Sequence, residues 1–317
     1  MEKRDLIKIW VAQVRGNFLI LSVLLVAIGL ACAALQMKKS GSGSFSVPNA
    51  LLLVLGVVLA HASVNLLNEY SDYKTGIDAS TRRTPFSGGS GMIQSGRTTP
   101  LAVSTAAWQT LFWAFCIGLY FAIMAHWIIL IIMAIGALSI VFYTRYLARW
   151  LLGELFAGLS LGSLVVIGSF IALYGTPAAG IGDLFPPEVV LLSIPPGILT
   201  SLLLFLNEFP DADADRKGGR FHLVIWLGKR KASYLYVLGL VLTYASIIAA
   251  PLLHAATWWI MLGWGTMPLA AKAAFTAVRH HEDTPKLIPA LGLNVLVVLA
   301  TDALLAAAVL LEMKFGI

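Results

Sequence analysis

The sequence predicts an all-α fold, a polytopic membrane helix bundle of about nine transmembrane helices. Three observations carry this reading. Of the 317 residues, 59% are hydrophobic and 12% charged, whereas soluble domains carry about 25% charged residues. Apolar segments that reach or approach the roughly 20 residues needed to cross a bilayer recur along the whole chain. The basic residues between them alternate in density, as expected of a chain threaded repeatedly through a membrane.

The chain opens with MEKRDLIKIWVAQVRG. Its mixed charges and its lack of a small-residue cleavage site argue against a signal peptide. Residues 1–16 are expected as an amphipathic interfacial helix. Spans are expected at 17–37, 49–69, 103–123, 126–144, 155–174, 189–209, 232–250, 256–276 and 289–311. Pro195 and Pro196 fall inside the sixth without excluding it, because neighbouring helices can satisfy the freed backbone groups. With the N-terminus inside, all of the 22 Lys and Arg residues except Lys38, Lys39 and Lys314 lie on the cytoplasmic side. The C-terminus then falls on the opposite side. Residues 1–317 read as a single domain, with 70–101 and 210–231 as cytoplasmic cap loops over the site. Cys32 and Cys116 lie inside spans and read as packing residues, not a disulfide framework or a metal site. The net charge of +6 reflects this sidedness and points to the lipid bilayer as partner, not to nucleic acid.

Two polar stretches interrupt the apolar pattern. NEYSDYKTGID at 68–78 and NEFPDADADRKGG at 207–219 share the order Asn-Glu-aromatic-x-Asp, each at the end of an even-numbered span. Residues four apart share a helical face, so Asn68 and Asp72 point one way, as do Asn207, Asp211 and Asp215. Gly76 is expected to end its helix and turn the chain back, carrying Asp78 with it. Carboxylates converging near a membrane interior repel one another unless cations sit among them. Hard divalent ions with oxygen ligands suit such a set, and Mg²⁺ in particular binds through one or two carboxylates plus substrate phosphates. There is no His/Cys cluster of the zinc type. Basic residues follow each acidic set: Lys74, Arg82 and Arg83, then Arg216, Lys217 and Arg220. Such cations take phosphate oxygens, Arg often in two-pronged fashion. Metal and cations together would spread the charge of a leaving diphosphate. Solvated loop charges would account for one such motif, but less readily for its duplication. Asp302, deep in the ninth span, is a functional candidate by its depth. It would orient an acceptor, pair with a polar residue such as Asn294, or serve as a hydrogen-bonded structural group.

These residues resemble the paired aspartate motifs of the UbiA superfamily of intramembrane prenyltransferases. The family pattern is Asn-x-x-x-Asp with a further Asp after the second helix, and Asp-x-x-x-Asp after the sixth. ADRKGGRFHLVIWLG, LLGELFAGLSLGSL (151–164) and the pair Arg15 and Phe18 extend the resemblance over nearly the whole chain. It implies nine helices around a central cavity, a cytoplasmic cap and a lateral opening to lipid. The implied reaction moves a prenyl group from its diphosphate to an acceptor. The resemblance also implies that Asn68, Asp72 and Asp78 hold one Mg²⁺ and Asn207, Asp211 and Asp215 a second. Arg82 or Arg83, with Lys217 and Arg220, would hold the diphosphate.

An allylic carbocation needs dry walls and aromatic faces, for which Phe142, Tyr143, Tyr146 and Phe205 are candidates, with ordinary packing as the alternative for each. YTRYLAR at 143–149 lacks the family lysine after the fourth helix, leaving Arg145 or Arg149 to replace it. GGRFHL keeps Arg220 without the usual Thr, and His222 reads as an interfacial histidine. DYKTGID followed by RRTPFSGGSGMIQSGR (82–97) resembles the naphthoate-using branch of menaquinone biosynthesis. The expected acceptor is therefore 1,4-dihydroxy-2-naphthoate; the alternatives are 4-hydroxybenzoate, another lipid-quinone precursor or a glycerol-phosphate lipid. The run Gly88-Gly89-Ser90-Gly91 would form either a backbone cradle for an anion or a flexible cap loop. A secondary transporter is the rival reading. Against it, both motifs follow even-numbered spans, which places them on one side, and both lie at span ends, not at the midplane.

Overall fold

A computed structural model describes residues 3–81, 83–142 and 150–316, and among these every regular element is helical. The short α1 (Lys3–Gln13) leads into α2 (Gly16–Ser40) through Arg15, whose φ is 52°. Next come α3 (Val47–Thr75), the single turn α4 (Ile77–Ser80), α5 (Pro100–Met124) and α6 (Ile128–Phe142). α7 (Gly153–Ala157) and α8 (Leu164–Tyr174) are joined by a π-helical turn, Gly158–Ser163, into one span. α9 (Ile181–Leu184), α10 (Pro187–Lys217), α11 (Leu223–Leu227) and α12 (Lys229–Leu252) follow. A 3₁₀ stretch, Trp258–Thr266, then runs into α13 (Met267–His280), and α14 (Thr284–Phe315) is the last helix.

Local chemistry accounts for the main boundaries. Ser46 caps α3 by accepting from the Asn49 amide, with Pro48 in the first turn. Thr99 caps α5 in the same way, accepting from the Ala102 amide beside Pro100. Both are the side-chain cap plus early proline that helix starts favour. α3 ends at Gly76, whose φ of 73° suits a residue without Cβ and whose N–H donates to the Tyr73 carbonyl. Both α3 and α10 outrun their apolar segments, so 70–75 and 210–217, expected as the starts of cap loops, are helix.

Among the described residues, seven helices are long and apolar enough to cross a membrane: α2, α3, α5, the α7–α8 unit, α10, α12 and α14. The other two expected spans take shorter forms. Segment 126–144 contains α6, of 15 residues. Segment 256–276 is a 3₁₀ stretch that restarts as α13 at Met267, where Pro268 sits in the first turn. Gly263, Gly265 and Pro268 crowd this segment and explain the break.

Small residues let the spans approach closely, as membrane helices require. A Cβ on Gly162 would lie 2.6 Å from the Gly197 Cα, so the π turn and α10 pack backbone to backbone. Ser163 Oγ donates to the Ser193 carbonyl at 2.9 Å and Ser201 Oγ to the Glu154 carbonyl at 2.8 Å across the same contact. Asn294 Nδ2 donates to the Leu202 carbonyl at 3.1 Å while its Oδ1 accepts from the Tyr236 hydroxyl at 3.0 Å, joining α10, α12 and α14. Asn294 is thus occupied and does not pair with Asp302. The two lie more than two helical turns apart, and Asp302 is fully buried with neither carboxylate oxygen hydrogen-bonded among the described residues. The two ends of α2 mark the two ends of the bundle. At one, Arg15 lies 3.8 Å from Glu69. At the other, Lys38 donates to the Met313 carbonyl at 2.5 Å and Lys39 pairs with Glu312 at 2.9 Å.

Candidate active site

The last turns of α3 carry Asn68 and Asp72 on one face, and the turn at Gly76 brings Asp78 back beside them; Asp72 and Asp78 are buried. The last turns of α10 carry Asn207, Asp211 and Asp215, of which Asp215 is buried. Arg220, in the bend after α10, joins the two sets. One guanidinium nitrogen pairs with Asp72 Oδ1 and the other donates to Asp215 Oδ1 at 3.2 Å. Arg220 thereby reaches a carboxylate 148 positions away in the chain and joins it to that of Asp215.

The loop 83–97 packs onto this cluster. Asp211 faces the Ser87 hydroxyl and the Gly88 amide. Gly89 (φ 69°) lies so close to Asp78 that a Cβ would stand 2.8 Å from both carboxylate oxygens. Gln94 Nε2 donates to Asp78 Oδ2 at 3.0 Å. Burial, reinforced by the charge of Glu69, pushes the Asp78 carboxyl above its ordinary value, against the opposing hydrogen bond from Gln94. The glycine run therefore lies against carboxylates.

Two residues outside the expected site organise it. Glu69 is buried and accepts from Gln13 Nε2 at 2.8 Å, from Ser90 Oγ at 2.8 Å and from the Ser90 amide. It fastens α1 and the glycine loop to α3. Arg15 faces the same cluster, its charge acting on Asp72, Asp78 and Asp211. The Glu common to both motifs was the available signal for Glu69. Arg15 was visible as the last basic residue before the first span and in the resemblance of its pairing with Phe18, neither of which assigned it to the site.

Not every expected cation converges. Lys74 stands over the Tyr70 ring, 4.8 Å from its centroid; two residues past Asp72, it projects from nearly the opposite side of the helix. Arg216 is exposed and reaches the Ile225 carbonyl at 3.4 Å, and Lys217 is exposed at the helix end. Arg83 is exposed on the loop, near Gly91. Arg82, Tyr143, Arg145, Tyr146 and Arg149 lie outside the described residues, as does the side chain of Phe142. Phe205 is buried edge-on against Phe209, with ring centroids 5.8 Å apart, and so packs the core. His222 is not interfacial. The chain turns inward after Gly219 and buries the ring, with Nδ1 3.3 Å from Glu208 Oε2 and Nε2 3.3 Å from Asp215 Oδ2.

Buried oxygens in the cluster fit a hard divalent cation. Among the described residues Asn207 Oδ1 and Asp211 Oδ1 have no hydrogen-bond partner, and amide and carboxylate oxygens are the ligands such ions take. The face of α3 that carries Asn68 and Asp72 continues through Val64, Ala60 and Val57 along an apolar cavity of about 330 Å³, walled also by α5, α6 and α8. One helix thus carries residues of the polar cluster at its end and one wall of the apolar cavity along its length. A second cavity, of about 430 Å³, is lined by Lys8, Arg15, Phe18, Phe86, Ser87 and neighbouring residues of α1, α2 and the loop.

Fold and site together define an integral membrane protein of helical-bundle type, with an oxygen-rich site where two of its long helices end. The chain belongs to the UbiA prenyltransferase family, whose profile matches residues 25–296, and it is an enzyme that transfers prenyl groups. It is 27% identical to the 1,4-dihydroxy-2-naphthoate octaprenyltransferase of Bacillus subtilis (strain 168) over 75% of each chain. It is 21% identical to the 2-carboxy-1,4-naphthoquinone phytyltransferase of Synechocystis sp. (strain ATCC 27184 / PCC 6803 / Kazusa), over 87% of this chain and 84% of that one. Its fold is similar to that of a UbiA homologue from Archaeoglobus fulgidus solved with GPP and Mg²⁺, with a TM-score of 0.57 and 14% identity, covering 94% of this chain and 99% of that one.

Proposed function

We propose that this enzyme transfers a prenyl group from an isoprenyl diphosphate to 1,4-dihydroxy-2-naphthoate, with Mg²⁺, at the cytoplasmic face of the membrane. The observation that carries this is the convergence of both motifs on Arg220, at the end of the helix whose same face lines the apolar cavity farther along. Asn68, Asp72 and Asp78 would hold one ion and Asn207, Asp211 and Asp215 a second. Bound Mg²⁺ would supply Lewis-acid neutralisation of the departing diphosphate. Arg220 and Arg15, with Arg82, would take the remaining phosphate oxygens. The isoprenoid tail would lie along Val64, Ala60 and Val57, whose apolar walls exclude water from the allylic carbon while its C–O bond breaks. The acceptor ring would then supply the electron pair for the new C–C bond and lose a proton.

The second cavity supports an aromatic acid as acceptor, because it joins the cations Lys8 and Arg15 to the rings of Phe18 and Phe86. Cations bind a carboxylate and rings stack on a flat acceptor. The relatives named for naphthoate and naphthoquinone substrates favour the bicyclic acceptor. The test is product analysis by mass spectrometry after incubating purified protein with Mg²⁺, geranylgeranyl diphosphate and either 1,4-dihydroxy-2-naphthoate or 4-hydroxybenzoate. A prenylated naphthalenoid that needs Mg²⁺, Asp72 and Asp211 is expected. Product from hydroxybenzoate alone would refute the acceptor, and no turnover with any donor length would refute the reading.

A further inference from the structure

A second polar cluster lies behind the site. Glu154 opens α7, Glu208 sits on α10 beside Asn207, and His222 follows the bend after α10; all three are at least nine-tenths buried. One ligand atom from each lies within 4.8 Å of the others. Buried polar atoms are normally hydrogen-bonded, yet among the described residues Glu154 Oε2, Glu208 Oε2 and both ring nitrogens of His222 have no hydrogen-bond partner. The imidazole is 3.3 Å from a carboxylate on either side, but neither contact has hydrogen-bond geometry.

We propose that Glu154, Glu208 and His222 bind a first-row transition ion, Zn²⁺ or Mn²⁺, at a site separate from the Mg²⁺ site. Glu154 Oε2, Glu208 Oε2 and one imidazole nitrogen are atoms that a shared cation would satisfy at once. One imidazole and two carboxylates suit Zn²⁺ and its neighbours, whereas Mg²⁺ takes oxygen ligands and keeps its waters. Three protein ligands leave a position for water. The surroundings are those of a ligating set. Glu154 Oε1 is held by the Leu223 amide at 3.0 Å. With Nδ1 turned to the ion, Nε2 lies 3.3 Å from Asp215 Oδ2, and a small rotation of the ring would give it the carboxylate partner that metal-bound histidines characteristically have. The ion would clip α7, α10 and the bend after α10 together and so position Asp215 and Arg220.

The test reads metal binding and does not depend on turnover or on the acceptor. Full-length protein in detergent is stripped with chelator, loaded with Zn²⁺, dialysed against excess Mg²⁺ and assayed for metal by mass spectrometry. A parallel sample loaded with Mn²⁺ is examined for nitrogen modulation of its electron spin echo. Retained Zn²⁺ at one equivalent and a histidine-nitrogen signal are expected, both lost in His222→Ala and Glu154→Gln and both kept in Asp72→Asn. Zn²⁺ that dialyses away, a Mn²⁺ signal without histidine nitrogen, or undiminished binding in folded His222→Ala would overturn the site. Should the variants not fold, the nitrogen signal of the unaltered protein decides.

Discussion

Arg220 sets the electrostatics of the candidate active site, because it supplies the charge between Asp72 and Asp215. Removing one partner of a buried ion pair strands the other and costs about 3 kcal/mol or more. Arg220→Ala should therefore lower the thermal unfolding temperature in detergent. Added Mg²⁺ should recover more of that loss than it adds to the unaltered protein, since a cation among the carboxylates replaces the missing charge. Gly89→Ala is expected to spare the fold while cutting prenyl transfer at least tenfold. It forces a side chain into a backbone region that costs about 1–3 kcal/mol and drives a methyl into Asp78, 2.8 Å away. At this scale the sequence revealed residues whose position follows from helical periodicity, namely Asn68, Asp72, Asn207, Asp211 and Asp215. It misled where adjacency in the chain was read as adjacency in space, as for Lys74. It was silent where burial depends on a remote element, as when α7 brings Glu154 to Glu208 and His222.

The helices themselves were legible wherever a continuous apolar run ended in a cap, a proline or a glycine, as for α2, α3, α5 and α10. Their lengths were not, because hydropathy marks the boundary of the lipid and not the end of hydrogen bonding; α3 and α10 continue past it. The π turn between α7 and α8 was equally hidden, since its cause is the close approach of Gly158 and Gly162 to Gly197 on another helix. That contact makes a prediction at the level of elements. Gly162→Leu should push α8 and α10 apart and destabilise the bundle by about 1–3 kcal/mol. The expected readout is a lower unfolding temperature that Mg²⁺ does not restore, unlike that of Arg220→Ala.

For the whole molecule, the two-ended design was legible from charge alone. Lys38, Lys39 and Lys314 were set apart from the other basic residues, and Lys38 and Lys39 meet the last helix at the end of the bundle remote from the motifs. The cavity was not legible, because its walls come from four spans whose mutual packing no local pattern specifies. Narrowing it should alter the choice of donor. Val64→Trp is expected to lower kcat/KM for geranylgeranyl diphosphate about tenfold more than for dimethylallyl diphosphate, a discrimination within reach of pocket contacts; steady-state assays with both donors check it. The single unbroken α3 that carries both Val64 and Asp72 has a further consequence. On the proposed function it would act as a ruler with its zero at the carboxylates, so that longer tails would extend away from the chemistry without shifting it. Such a ruler tolerates substitution along its length but not a change of phase. One residue inserted between Val64 and Asn68 would rotate the ion ligands by about 100° relative to the tail-lining face, leaving a folded helix whose two working surfaces no longer address the same molecule.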